Sequence, residues 1–276
     1  MEQKISITKG SVQETLLLPL WGRAYETQQK EPRLIDNKAV EIVGKVDYDF
    51  STIHETQAMS QHAWVARSLH TDKLALEFIK KHPKATIVNL GCGLDTTFSR
   101  IDNGEITFYE LDFSDVIELR KHFYKDSERH ISIASSFHDK DAWFDKIKVE
   151  DGLLFLAGGV FVYSTEEQMK KFFTAAADYF KNCEFYFDAM SPLGVKIGKK
   201  MVLKKGGMDF FKDSEGWALK PVKSLEKWSR RFKVISATPM YKGMNKGLPL
   251  KMKFVSFITN ILKVAPMVHL RIKTTG

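Results

Sequence analysis

The chain of 276 residues is 43% hydrophobic and 28% charged, enough apolar material for a substantial core and an ordinary balance for a globular protein. Forty-two Lys and Arg against 34 Asp and Glu leave a net charge of +8, which fits either solubility or an anionic partner; the base-stacking and groove-reading signatures of a nucleic-acid binder are missing. Two cysteines, Cys92 and Cys183, exclude a disulfide framework and a cysteine metal cluster. The charged opening MEQKISITKG lacks the apolar core of a secretory signal, so the expected location is cytoplasmic.

Residues 1–75 read as a helical N-terminal cap, with LLLPLWGRAYE and ETQAMSQHAWVARSLHTDKLALEFIKKH as its structured pieces. From 76 to 276 strand and helix alternate. Strands are expected at Thr86–Leu90, Thr107–Leu111, His130–Ala134, Leu153–Ala157 and Glu184–Asp188. Helices are expected after Asp95 and over Val116–Tyr124, Ala142–Ile147 and Thr165–Phe180, the last with Glu166 and Glu167 in its first turn. Such alternation predicts an α/β fold with a mostly parallel sheet. A Gly- and Lys-rich insertion, 191–220, follows as a candidate lid, then a helix near Ser224–Arg231. Lys233–Thr238 and Met267–Ile272 form a candidate C-terminal antiparallel hairpin. Between them FVSFITNIL is flanked by Lys253 and Lys263; it reads as a helix too short to span a bilayer, and no membrane partner is expected.

The most informative stretch runs from the apolar ATIVNL through the loop GCGLDTTFSR to ITFYELD. A strand, a glycine loop at a helix start and an acid closing the next strand make half of a nucleotide-type cofactor site. In a dinucleotide fingerprint a third glycine would stand at position 96, and the loop would receive a pyrophosphate. This chain has Thr96 there and Asp95 within the loop. A carboxylate at that place repels a phosphate by several kcal/mol and is at home beside a cation. The loop therefore suits S-adenosylmethionine, which has a sulfonium, an ammonium and an adenosine diol but no phosphate. Asp112 can take the ribose hydroxyls, with Glu110 competing for that contact.

Longer motifs carry a resemblance. TLLLPLWGRAYE, VARSLHTDKL, VNLGCGLDTTFSRI, FYELDFSDVIELRKHF, ASSFHDKDAWFDKI, FLAGGVFVYSTEEQMKKFF and FYFDAMSP together cover most of the chain. It resembles the leucine carboxyl methyltransferase family, which includes bacterial polyketide-type O-methyltransferases. The resemblance implies a Rossmann-like class I methyltransferase fold and methyl transfer from S-adenosylmethionine to oxygen. By position, Arg67 would grip the cofactor's carboxylate, Gly91 and Gly93 would accept its methionine end beside Asp95, and Asp112 would bind the ribose; Arg23 is a second candidate for the carboxylate. The chain departs from the family pattern at Ser135, where an Asp commonly meets the adenine, and at Gly158, where a Glu is frequent. Both departures point toward the small-molecule branch.

An acceptor carboxylate is already ionised near neutral pH and needs no general base, whereas a hydroxyl would benefit from one. No catalytic base is singled out by the sequence. His54, His62 and His70 recur every eight residues and drift about 80° around a helix at each step, so they make no metal face and read as surface or cap residues. Trp21, Tyr25, Tyr163 and Met190 are candidates for lining the acceptor pocket, and the lysines of the insertion favour an anionic small molecule. Two alternatives stand beside the methyltransferase: an NAD-dependent oxidoreductase, and a cofactor-binding protein without catalysis.

Overall fold

The computed structural model describes residues 4–7, 12–51, 53–197 and 216–274. A short parallel pair, β1 (Ile5–Ser6) and β2 (Val46–Asp47), belongs to the N-terminal region. The main sheet contains β3 (Thr86–Leu90), β4 (Thr107–Asp112), β5 (His130–Ala134), β6 (Leu153–Ala157), β7 (Cys183–Asp188), β8 (Phe232–Pro239) and β9 (Pro266–Ile272) in the order β5-β4-β3-β6-β7-β9-β8. The first five run parallel, and β9 is antiparallel to both β7 and β8. Chain order reverses at β3, which has β4 on one side and β6 on the other. A crevice for a ligand opens at such a switch point, beyond the strand C-termini.

The central strands β3 and β6 are buried along their whole length, covered on both faces, which is why they read as mostly apolar runs. The pleat divides them by alternate residues. Val88, Leu90, Phe155, Phe185 and Phe187 face one core together with Trp143, Phe161, Phe172 and Phe173. Ile87, Phe108, Leu154, Leu156 and Tyr186 face the other. Helix α1 (Val12–Thr27), α2 (Asn37–Lys45) and α3 (Ile53–Ile79) make up the N-terminal helical region. Ala66, Ala75, Phe78 and Ile79 of α3 pack into the second core, so residue 75 lies inside a helix that joins cap and sheet. α1 crosses α3 at Gly22, where an added Cβ would come within 2.7 Å of Trp64.

Further helices are α4 (Thr97–Ile101), α5 (Ser114–Lys121), α6 (Glu166–Phe180) and α7 (Leu250–Ile261). α6 starts at a capping box between Thr165 and Gln168 and buries Met169, Phe172, Phe173, Ala176 and Ala177, one helical stripe. Two expected helices differ. Over Ala142–Ile147 the chain forms two 3₁₀ turns, Lys140–Ala142 and Phe144–Lys146, separated by Trp143 at φ −146. Burying the Trp143 indole in the first core takes the backbone out of helical geometry there. Near Ser224–Arg231 the chain forms a 3₁₀ helix, Val222–Lys227, before β8 begins. Of the insertion, 198–215 lies outside the described residues, and with it Lys199, Lys200, Lys204 and Lys205.

His62 and His70 are not surface residues. His62 is 0% exposed, stacks on Tyr241 at 4.8 Å, and accepts from Arg33 Nη1 at 2.7 Å through Nδ1. His70 Nε2 lies 3.0 Å from the Met240 carbonyl. The pair fastens α3 to the segment after β8. Burial, reinforced by the Arg33 charge, pushes the His62 imidazole down from 6.5 to about 4. In the unfolded chain the same group takes up its proton near 6.5. The stability gained by keeping it neutral is therefore whole above about 6.5 and is lost as pH falls toward about 4. The amount is on the order of 3 kcal/mol. Melting curves across this pH window are expected to be flatter for His62→Phe than for the parent, by roughly 6 °C at the acid end.

Candidate cofactor-binding site

The loop after β3 bends back on itself through Gly91 (φ +59) and Gly93 (φ +48). A Cβ at Gly91 would fall 2.5 Å from Val160, and one at Gly93 would fall 3.0 Å from Leu16 of α1. The loop is thus sandwiched between the β6 end and the cap, in a backbone region that L side chains rarely enter.

Arg120 of α5 holds this loop from beneath. Its Nη1 donates to the carbonyls of Gly93 (2.8 Å) and Asp95 (3.0 Å), and its Nη2 to Glu110 Oε1 (2.7 Å). Glu110 also accepts from Asn89 Nδ2 at 2.9 Å and faces His130 Nε2 at 3.2 Å. Glu110 is consumed by this buried cluster, which leaves Asp112 as the acid at the rim. Asp112 Oδ2 accepts from the Gly93 N–H at 2.7 Å and Oδ1 from the Phe113 N–H at 2.8 Å. Burial raises its pKa above the ordinary carboxylate value, with the two backbone N–H groups opposing. Ser135, at the end of β5, donates its N–H to the Asp112 carbonyl at 2.9 Å and its hydroxyl to the Ser136 carbonyl at 3.2 Å.

Behind the loop a second charged cluster centres on Asp36, the N-cap of α2, which is 0% exposed. Its Oδ2 accepts from Arg23 Nε (2.9 Å), Arg100 Nη1 (2.7 Å) and Thr96 Oγ1 (2.5 Å), and its Oδ1 caps α2 through the Ala39 N–H (2.9 Å). Arg23 also donates to the Leu94 carbonyl at 3.1 Å and lies 3.9 Å from Asp95. Arg23 is therefore bound to the back of the loop, with Asp36 as its ion-pair partner. Asp95 accepts from Asn89 Nδ2 (3.0 Å) and the Thr97 N–H (3.3 Å). Burial works against its charge, but Arg23, Arg100 and those hydrogen bonds prevail and hold it at about 2.

The opposite wall is built on Arg67 of α3. Its Nη1 donates to Asp188 Oδ2 at 3.2 Å, and Asp188 Oδ1 accepts from the Gly159 N–H at 2.6 Å. The guanidinium lies along Gly158 and Gly159. Tyr163, 50% exposed, stands in the field of Arg67 and Asp188, although burial of its phenol is the larger influence and raises its pKa. Met190 pairs with Ala218, and Trp217 donates its N–H to the Val162 carbonyl, so residues 217–219 stitch the Tyr163 and Met190 segments together. Trp21 and Tyr25 stack on each other at 5.2 Å on α1. Among the described residues no group of three or more His, Cys, Asp or Glu is placed to hold a metal.

Gly91, Gly93, Asp112 and Ser135 thus meet on one side of the crevice, and Arg67, Gly158 and Tyr163 on another. Their chemistry fits S-adenosylmethionine: carboxylates for the diol and the cationic end, and one guanidinium for the carboxylate. Asp188 stands at a strand end, where the sequence places the ligand crevice; Arg120 and Asp36 were not legible, because most of their partners lie in other parts of the fold.

This strand order, with a glycine loop after the central strand and an acid closing its neighbour, defines a class I S-adenosylmethionine-dependent methyltransferase. Comparison with known proteins agrees. The leucine carboxyl methyltransferase family model matches residues 17–177. The chain is 31% identical over 229 residues to the tetracenomycin polyketide synthesis O-methyltransferase TcmP of Streptomyces glaucescens, covering 82% of this chain and 81% of that one. It is 28% identical over 205 residues to the S-adenosyl-L-methionine-dependent methyltransferase dpfgK of Gibberella zeae, covering 67% and 68%. A crystal structure from Thermobifida fusca, provisionally assigned as a methyltransferase, superposes with a TM-score of 0.59 at 10% identity over 92% of this chain and 94% of that one, a likeness of fold. The chain belongs to the leucine carboxyl methyltransferase family. It is a methyltransferase that uses S-adenosylmethionine, and the oxidoreductase alternative falls away.

Gly159 and Gly158 provide a controlled pair. At Gly159 (φ +76) an added Cβ would lie 2.5 Å from Arg67 Nη1, whereas at Gly158 it would meet Arg67 at an ordinary 3.4 Å. Gly159→Ala is expected to lower stability by about 1–2 kcal/mol and Gly158→Ala to be near neutral, as read from denaturant midpoints.

Proposed function

We propose that the crevice beyond β3, β4 and β6 binds S-adenosylmethionine and passes its methyl group to an oxygen of a small, acidic acceptor. In this reading the methionine end meets the Gly91–Gly93 loop, Arg67 takes its carboxylate, Asp112 the ribose hydroxyls, and Ser135 the adenine edge. The observation that carries it is the 2.7 Å bond from the Gly93 N–H to Asp112 Oδ2. That bond sets a carboxylate on the rim of the glycine loop, where a diol is welcome and a phosphate is not.

Bound there, the cofactor supplies an electrophilic methyl on a sulfonium. The protein's part is to position and to dry the site. Arg67, braced by Asp188, fixes one end of the cofactor, and Asp112, braced by Gly93 and Phe113, fixes the other. Trp21, Tyr25, Tyr163 and Met190 are proposed to line the acceptor side, with residues 1–75 as the cap above it. Gly158 leaves open the space beside Arg67 where a Glu is frequent. An anionic acceptor suits the net charge of +8 and, as a carboxylate, reacts without a base. The name of the tetracenomycin polyketide synthesis O-methyltransferase supports a small-molecule branch. A cytoplasmic location completes the reading, supported by two free, buried cysteines.

Isothermal titration with S-adenosylhomocysteine tests the assignment. The parent protein is expected to bind it in preference to NAD, and Asp112→Ala to weaken it about tenfold or more through lost charged hydrogen bonds. Equal affinity in parent and variant would remove Asp112 from the site. Turnover on a panel of small carboxylates and phenols then separates an enzyme from a cofactor-binding protein without catalysis.

A further inference from the structure

The last acidic residue of the sequence is Glu226, and eleven Lys and Arg occur in the 50 residues after it. Within this acid-free stretch α7 joins β8 to β9. Its inner side is held by Asn260, whose Oδ1 accepts from the Tyr241 N–H at 3.1 Å, and by the buried Ser256. The side turned away from the protein is apolar: Leu250 is 83% exposed, Phe254 67%, Phe257 57%, Ile258 38% and Ile261 59%. At 3.6 residues per turn these five fall within about 100° of arc, roughly opposite Ser256. Lys251 flanks the arc on one side and Lys253 on the other. Lys242, Lys246 and Lys263, at the two approaches to the helix, are exposed as well.

An apolar face bordered by lysines, on a helix lying flat against its own protein, has the form of a segment that rests in a membrane interface. Among the described residues no helix is long and apolar enough to cross a membrane. The shortness of FVSFITNIL argues against spanning alone, so the expectation of no membrane partner does not extend to binding at the surface. Charge decides between lipid and a second copy of the chain. Two such faces brought together would surround an acid-free seam with lysines, whereas an anionic lipid surface accepts the apolar side chains and neutralises the lysines together.

The fold brings the end of α7 close to the site. Met267 pairs with Asp188, and the Ala189 N–H donates to the Pro266 carbonyl at 2.9 Å. The end of α7 therefore leads into the sheet edge that carries Asp188, the partner of Arg67. We propose that α7 is an interfacial helix that docks the protein on an anionic lipid surface with the crevice edge of the sheet beside it.

Co-sedimentation with vesicles tests this on the full chain. The protein is expected to pellet with phosphatidylcholine vesicles that contain phosphatidylserine, to stay in solution with phosphatidylcholine alone, and to be released by salt. Phe254→Ser with Phe257→Ser, and separately Lys251→Gln, Lys253→Gln and Lys263→Gln together, are each expected to cut the bound fraction about tenfold or more. Both variants should keep the parent's melting temperature and S-adenosylhomocysteine affinity, which separates lost docking from lost folding. No pelleting with phosphatidylserine vesicles, or pelleting that survives both variants, would overturn the proposal. So would a dimer, seen by light scattering, that Phe254→Ser with Phe257→Ser dissolves, since a second copy would then cover the face.

Discussion

Beneath the glycine loop a guanidinium sits with 1% of its side chain exposed, and the geometry of the crevice follows from how that charge is compensated. Taking Arg120 out of water costs several kcal/mol. The cost is offset by two loop carbonyls, by Glu110 and by the face of Tyr124 at 4.6 Å. These partners fix which way the loop's peptide groups turn. With the carbonyls of Gly93 and Asp95 drawn down to Arg120, the Gly93 N–H is left to Asp112. One buried ion thus determines the bend of the loop, the need for positive φ at Gly91 and Gly93, and which of two nearby acids stands at the rim.

Asp36 plays the matching part behind the loop. A lone carboxylate with no exposed surface would be costly, and here it is shared by Arg23 of α1, Arg100 of α4 and Thr96 of the loop while it caps α2. Donors from α1, from the start of α2 and from the segment 96–100 meet on its two oxygens. Arg100 is in turn held by Asp72 of α3 at 2.6 and 2.9 Å. The N-terminal helices and the loop therefore form a single electrostatic unit.

The central strands were legible in the sequence because burial on both faces makes them mostly apolar; Thr86–Leu90, His130–Ala134 and Leu153–Ala157 have the expected bounds. α6 was legible from the acidic first turn at Glu166 and Glu167. Ala142–Ile147 was not, since the pull of Trp143 into the core is a tertiary effect that local propensity does not carry. The short α2 was missed, although Asp36 immediately before it is a cap signal. The meeting of the Gly91–Gly93 loop with Asp112 could be read because motif spacing encodes it. The place of Arg120 could not, because it looks like one more charged position in a helix; nor could the bond of Arg23 to Asp36, which depends on a partner 13 residues away across a turn of chain. His62 and His70 carried no sign of burial, because their neighbours Tyr241 and Met240 come from the far end of the sequence.

The contacts of Leu16 with Gly93 and of Arg23 with Leu94 have a consequence for how such proteins diversify. A cap that carries part of the loop's scaffolding cannot be exchanged as a cassette, since a foreign α1 would arrive without the groups that brace the loop. Single side-chain changes on the parts of α1 that do not touch the loop leave those braces in place, so variation is easier to accommodate there than at Leu16 or Arg23.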